Sequence, residues 1–202
     1  MADADFTVSV EGVKELQQKV DKLPSRIRND VGRDALSKAG FMLEGYIKRE
    51  KLSGQVLRVR SGRLRASVTA APPVDEGADI VVRVGPHVIY ARIHEFGGTI
   101  YPKRAQFLTI PMQAALTGAG VARFTARDLI SSPQIGGFTR TFFRNHVLYG
   151  VSGTRGKPVP VFALKQSVTI PERPYLRPAL AEKRGEIVQL LAVSVERALK
   201  SL

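Results

Sequence analysis

Tyr90, Ile93 and Phe96 recur at every third position, which predicts a short two-faced helix with Arg92 and Glu95 on the opposite side. Gly97-Gly98 follows, and the access of glycine to left-handed backbone predicts that the helix stops there. Phe107, Leu108 and Ile110 then predict a returning strand that reaches Pro111, so helix, glycine break and strand form a rigid corner. Upstream, Phe6-Thr7-Val8-Ser9-Val10 alternates apolar and polar and predicts a short strand. Val13, Leu16, Val20 and Leu23 predict a helix that Pro24 ends. Ser25 can cap a longer helix running to about Glu50, with Ile27, Val31, Ala35, Ala39, Met42, Tyr46 and Ile47 on one face.

Residues 51–62, with Gly54, Gly62 and the alternating Val56-Leu57-Arg58-Val59-Arg60, read as a flexible basic loop or a ragged hairpin. Strands are predicted at Ala66–Ala71 and Ile80–Val84, joined through Pro72-Pro73 and the acidic turn Asp75-Glu76-Gly77, so a β-hairpin leads into the corner. Between Gln113 and Thr169, Ala114–Ala119 and Ala122–Leu129 have some helical spacing, but Gly118, Gly120, Ser131, Ser132, Pro133, Gly136 and Gly137 punctuate them as loop. Thr139–Arg144, His146–Val151 and Val159–Leu164 read as strands, which implies a basic hairpin with a glycine-bearing turn at Gly153–Lys157. Pro178 fits the first turn of a last helix, and Leu180, Ile187, Leu191, Val195, Ala198 and Leu202 form its stripe. Acids and bases alternate on the polar side, which favours packing against protein over a membrane surface. The expectation is one α+β domain over residues 1–202: a mainly antiparallel sheet flanked by long N-terminal and C-terminal helices, with a β-hairpin insertion at about 112–170.

Three stretches carry a family resemblance. Tyr90-Ala91-Arg92-Ile93-His94-Glu95-Phe96-Gly97-Gly98 resembles the hallmark of small tail-completion and head–tail joining proteins of long-tailed bacteriophages, the group of lambda minor tail protein Z and the Mu-like virion morphogenesis protein. Ser61-Gly62-Arg63-Leu64-Arg65-Ala66-Ser67 and Arg173-Pro174-Tyr175-Leu176-Arg177-Pro178-Ala179-Leu180 are similar to two further segments of that group, in the same order. In the Ser61–Ser67 segment Leu64 and Val68 would turn inward, and Arg63 and Arg65 outward. The stretch from Pro111 to Pro171 is longer than in compact members. The resemblance implies a structural virion protein at the head-proximal end of the tail, built as a ring of copies, with sixfold closure following from tail symmetry. A ring of one chain requires a heterologous interface whose rotation closes.

Composition narrows the alternatives. The 202 residues contain no cysteine, which excludes disulfides, thiolate metal sites and cysteine nucleophiles. No apolar run approaches the roughly 20 residues that span a bilayer, and the acidic start Met1-Ala2-Asp3-Ala4-Asp5 is unlike an export signal, so a soluble chain made in the host cytoplasm is expected. The formal net charge of +13 is uneven: residues 24–70 hold 11 basic and 4 acidic groups, and residues 97–170 hold 9 and 1. Such a surplus suits DNA or an acidic protein ring. No base-stacking platform of aromatics interleaved with cations stands out.

No phosphate-cradling glycine motif, His-Glu-x-x-His pair or nucleophile elbow is present. His94-Glu95 could be an acid–base pair on paper, but their neighbours suit a structural corner, and no catalytic residue, metal or cofactor is expected. The expected interface residues are Arg63, Arg65, Tyr90, His94, Glu95, Phe96, Gly97, Gly98, Tyr175, Leu176 and Arg177. Arg140, Arg144, Arg155 and Lys157 are the candidates for contact with the tail tube or with DNA in its lumen. The expected partners are further copies of the chain, the tube, and terminator or connector proteins; the competing reading is a basic protein that binds or protects DNA.

Overall fold

The computed structural model describes residues 25–77 and 79–200. The strand expected at 6–10 and the helix expected at 13–23 lie outside the described residues. The chain forms two compact units, one drawn from Met1–Leu57, Leu64–Val88 and Pro174–Leu202, the other from Arg58–Arg63 and Ile89–Arg173.

In the first unit, helix α1 (Ser25–Tyr46) passes into one wide π-helical turn, Ile47–Lys51, closed by the Leu52 N–H on the Ile47 carbonyl at 3.0 Å. Ala35, Ala39, Leu43 and Ile47 are its buried positions. Their spacing of four makes the face drift slowly round the helix, so Leu43 takes the inward place expected of Met42. Small residues let the neighbouring strands come close: a Cβ on Gly40 would stand 2.8 Å from Val82 Cγ1 and 3.2 Å from Ala70 Cβ.

Those strands follow a short helix, α2 (Arg63–Ser67), which replaces the first residues of the expected strand. β1 (Val68–Ala70) pairs antiparallel with β4 (Val84–Pro86), and β2 (Val74–Glu76) with β3 (Asp79–Val81). The expected continuous strand Ile80–Val84 is therefore split. Pro72 and Pro73 cannot donate to a ladder, and the register slips by one residue across them, from Ala70↔Val84 to Val74↔Val81. The last helix, α5 (Leu176–Lys200), packs along α1. Leu43, Ile47, Leu52, Leu57, Val68, Tyr175 and Ala179 form the core between them.

Polar clasps tie the same elements together. The Tyr46 hydroxyl donates to the Glu182 carboxylate, which also receives Lys51 Nζ at 2.7 Å. The Glu44 carboxylate accepts the Ala70 N–H at 2.7 Å and Lys48 Nζ at 2.6 Å, and the Lys48 contact foremost holds its carboxyl below the usual value despite partial burial. Because the folded state depresses this group, its stabilisation is complete above the ordinary carboxylate pKa and is lost as pH falls through the lowered value. Glu44→Gln is expected to destabilise the first unit by about 1–2 kcal/mol at neutral pH, read by chemical denaturation, and to flatten the acid limb of its stability profile.

The second unit holds α3 (Ala91–Phe96), β5 (Gly98–Ile100), β6 (Leu108–Pro111), α4 (Ala126–Ser131), β7 (Arg140–Arg144), β8 (Val147–Val151), β9 (Val159–Lys165) and β10 (Val168–Ile170). The strands expected around 139–164 do not stand alone as a hairpin. They join β6 in a four-stranded antiparallel sheet of order β6-β9-β8-β7, while β5 and β10 form a separate ribbon. A two-residue turn, Asn145 and His146 both at positive φ, connects β7 to β8 in the manner of a type I′ hairpin. Gly153–Lys157 lies in the connection from β8 to β9.

At Leu148/Tyr149 the pairing shifts, leaving Val161 without a partner opposite it, and both Val161 and Phe162 are buried. With Ala115, Ala126, Leu129, Phe138 and Leu148 they make the second core. The segment that reads as loop in the sequence contains α4, held by a reciprocal cap: Thr125 Oγ1 accepts the Asp128 N–H, and Asp128 Oδ2 accepts the Thr125 N–H. The antiparallel strands and two long helices bear out the α+β class, but the strands are divided into four sheets rather than gathered in one.

Candidate functional site

The corner at residues 89–101 is built from a helix too short to stand alone, so its packing decides which side faces in. Ala91 and Glu95, one turn apart, are buried, and Glu95 is only 1% exposed. Tyr90 and Phe96 face outward instead. The spacing of Tyr90, Ile93 and Phe96 is real, but the buried face is not theirs, because the chain returning at 168–173 closes over the other side. That closure is backbone-specific. β5 pairs with β10 from Gly98↔Ile170 to Ile100↔Val168, and the Arg173 N–H donates to the His94 carbonyl at 2.8 Å. The Thr99 and Thr169 hydroxyls meet at 2.9 Å.

Gly97 makes the turn from helix to ribbon at φ 66° and ψ −170°. It is not the left-handed cap expected from sequence but a conformation essentially confined to glycine. A Cβ there would lie 2.7 Å from the Glu172 nitrogen and 3.0 Å from the Ile170 carbonyl oxygen. Gly98 also has positive φ.

His94 is half-buried, its ring edge-on to Tyr90 with centroids 6.1 Å apart. Burial, then the charges of Arg173 and Arg60, push its pKa below the usual histidine value. The unfolded chain therefore binds this proton more readily than the folded one. The contribution of His94 to stability is complete above about pH 6.5 and is lost as pH falls through the lowered pKa. Amide protection at Gly98–Ile100, taken relative to the intrinsic exchange rate at each pH, is expected to fall as pH drops through that window, and His94→Gln to remove that part of the pH dependence.

Around the corner, Ile89 is 89% exposed and Tyr101 66%, with Tyr90, Phe96 and Ile100 also at the surface. Ile89, Ile100 and Tyr101 escape sequence reasoning because they sit just outside the periodic segments. Their adjacency to a helix end and to Pro102 is the only signal.

The other predicted residues are scattered. Arg63 and Arg65 are exposed on α2, and Arg65 donates to Ser53 Oγ at 3.2 Å. Tyr175, expected to anchor a neighbouring copy, is fully buried in the first core, and Leu176 is half-buried against it; only Arg177 of that group faces solvent. The correction follows from Pro174 and α5, which turn the aromatic ring inward onto Leu43 and Ile47. Arg140, Arg144, Arg155 and Lys157 are all exposed, the first two on edge strand β7 and the others beyond β8.

The histidines are dispersed. His87 Nε2 lies 2.6 Å from Thr69 Oγ1 across β1 and β4, and His146 sits in the β7–β8 turn. Consecutive helix residues point in different directions, so buried Glu95 and half-exposed His94 serve different faces. Among the described residues no group of three or more His, Asp or Glu could hold a metal ion, and no helix is long and apolar enough to cross a membrane.

Fold and corner together define a class: a two-unit α+β protein whose glycine-locked corner is ringed by exposed apolar side chains. Residues 14–97, a little under half of the chain, match the family model described as "Bacteriophage HK97-gp10, putative tail-component". The Ser61–Ser67 motif and nearly all of the Tyr90–Gly98 motif lie inside that span, so over those residues the chain is similar to a phage tail component. Searches of curated proteins and of solved structures give no match.

Proposed function

We propose that the protein is a minor tail protein of the tail-completion kind, assembling as a ring, hexameric by tail symmetry, at the head-proximal end of the tube and preparing the tail for head joining. The observation that carries this reading is the exposed apolar set Ile89, Tyr90, Phe96, Ile100 and Tyr101 on a corner whose backbone is held on both sides. A rigid mount presenting aromatic side chains suits a docking surface, since contiguous exposed apolar area marks interaction sites and a preformed one loses little order on binding. Copies and the neighbouring tube, terminator or connector proteins are its occupants in this reading. Arg63, Arg65 and Arg177 supply charged groups that could pair at such contacts. The test is electron microscopy of tails carrying the full chain, with Tyr90→Ser/Tyr101→Ser alongside. Rings at the head-proximal end that vanish in the double variant, with the monomer still folded, are expected; a solitary subunit elsewhere on the tail sinks the reading.

A further inference from the structure

The charge of the chain is divided unequally between its units. Arg58–Arg63 and Ile89–Arg173 contain 14 basic residues and 3 acidic ones, whereas the remaining sequence is nearly balanced, with 17 and 15. Of the three acids, Glu95 is buried and Asp128 is occupied in capping α4. The second unit therefore presents a surface almost without negative charge.

Part of that charge is organised by a strand. In β7 the order Arg140-Thr141-Phe142-Phe143-Arg144 alternates faces. Phe143 pairs with Leu148 of the core, so Arg140, Phe142 and Arg144 stand on the opposite face. Phe142 stacks on its cross-strand partner Tyr149, with centroids 5.5 Å apart and planes inclined by 14°. Lys165 lies on the same face, two residues beyond Ala163 in the row Arg144, Val147, Ala163. Arg140, Arg144 and Lys165 are exposed and have no ion-pair partner among the described residues. Two arginines thus flank an aromatic pair on an edge strand, an interleaving that becomes visible once the strand register is known.

We propose that this face of the four-stranded sheet binds a nucleic-acid strand, with Arg140, Arg144 and Lys165 on phosphates and the Phe142–Tyr149 pair against sugar or base. Charge complementarity selects the partner: the same face of a second copy would bring the same positive charge, whereas nucleic acid brings the opposite sign. Arginine predominates among the cations of this unit, 11 of 14, and its planar fork matches phosphate oxygens bidentately. An acidic protein would also be attracted by the charge; what favours nucleic acid is the row of exposed arginines along one strand beside rings on which a base can stack, and an acidic polypeptide is the competing outcome of the test. Along the strand the two arginines are about 13 Å apart, the axial rise of about four phosphates of one strand of duplex. The inference is independent of the ring reading.

The experiment is fluorescence anisotropy of the full chain with a labelled 30-base-pair duplex and the corresponding single strand, from about 50 to 200 mM salt. Both probes carry phosphates, and their relative affinity tells which source is preferred. Wild type is expected to bind at least one with steep salt dependence. Arg140→Gln/Arg144→Gln is expected to weaken binding about tenfold or more and to lower the salt slope by about two contacts. Phe142→Leu, conservative in volume, is expected to weaken the single strand more than the duplex. Arg155→Gln/Lys157→Gln is the control of equal charge, expected to have the smaller effect. Two results overturn the proposal: no binding of either nucleic-acid probe, with binding of an acidic polypeptide such as polyglutamate then pointing to an acidic protein instead, or binding equally reduced by both double variants. Amide exchange in β7 and β8 confirms that each variant is folded.

Discussion

Gly97→Ala is expected to destabilise the second unit by about 3 kcal/mol, a large share of the 5–15 kcal/mol that holds a typical domain together. Two separate causes add. The residue sits at φ 66° and ψ −170°, where any side chain strains the backbone, and its Cβ would press on the Glu172 nitrogen and Ile170 oxygen. These are main-chain atoms at the end of the paired ribbon and just beyond it, so neither can swing aside as a flexible side chain would. Gly153→Ala separates the two causes, because Gly153 has φ 70° but nothing within 4 Å of its would-be Cβ; its cost is expected to be about 1 kcal/mol. Denaturation of both variants, with amide exchange at Gly98–Ile100, checks the difference. Equal costs would mean that the close approach to the returning chain carries no energy.

Tyr175→Ala is expected to cost about 3–5 kcal/mol in the first unit. The ring is fully buried among Leu43, Ile47, Leu52, Leu57, Val68 and Ala179, so truncation leaves a cavity that helices on both sides cannot readily close. If Tyr175 were an anchor for a neighbouring copy, the same change would spare the isolated chain and abolish association only. Thermal unfolding of the monomer distinguishes these outcomes: an unchanged midpoint would contradict the core role, and a fall of several degrees would support it. Tyr175 then acts by setting the entry of α5, and between Pro174 and Pro178 only Arg177 stays open to solvent.

Much of the fold is written in periodicity. The long helices, the glycine stop after Phe96 and the three strands between residues 139 and 165 follow from spacing, because burial repeats along regular elements. What fails is local and has local causes. The spacing of Tyr90, Ile93 and Phe96 gave α3 two faces but did not say which is buried, since a two-turn helix takes its orientation from what packs on it, and that is the distant segment 168–173. The strand expected over Ile80–Val84 broke because its partner carries two prolines. Tyr175 looked like a surface anchor because a motif specifies residue types but not which side they turn to. Arg140 and Arg144 were legible as exposed cations, but their interleaving with Phe142 and Tyr149 was not, since such a face exists only when pairing fixes which residues share it. The helical spacing of Ala122–Leu129 pointed towards α4, but glycines and serines argued for loop, and the Thr-x-x-Asp cap that sets its start at Ala126 went unread.

The path of the chain through its two units has a further consequence, one that concerns birth rather than binding. The second core draws all its members from a single stretch, Ala115 to Phe162, whereas the first needs Tyr175 and Ala179 to meet residues as early as Leu43. Domains close as units while synthesis proceeds. On the ribosome the later-made unit can therefore complete its interior first, and helix α1 must wait, with Leu43 and Ile47 covered within that core only by Leu52, Leu57 and Val68, until the final helix emerges.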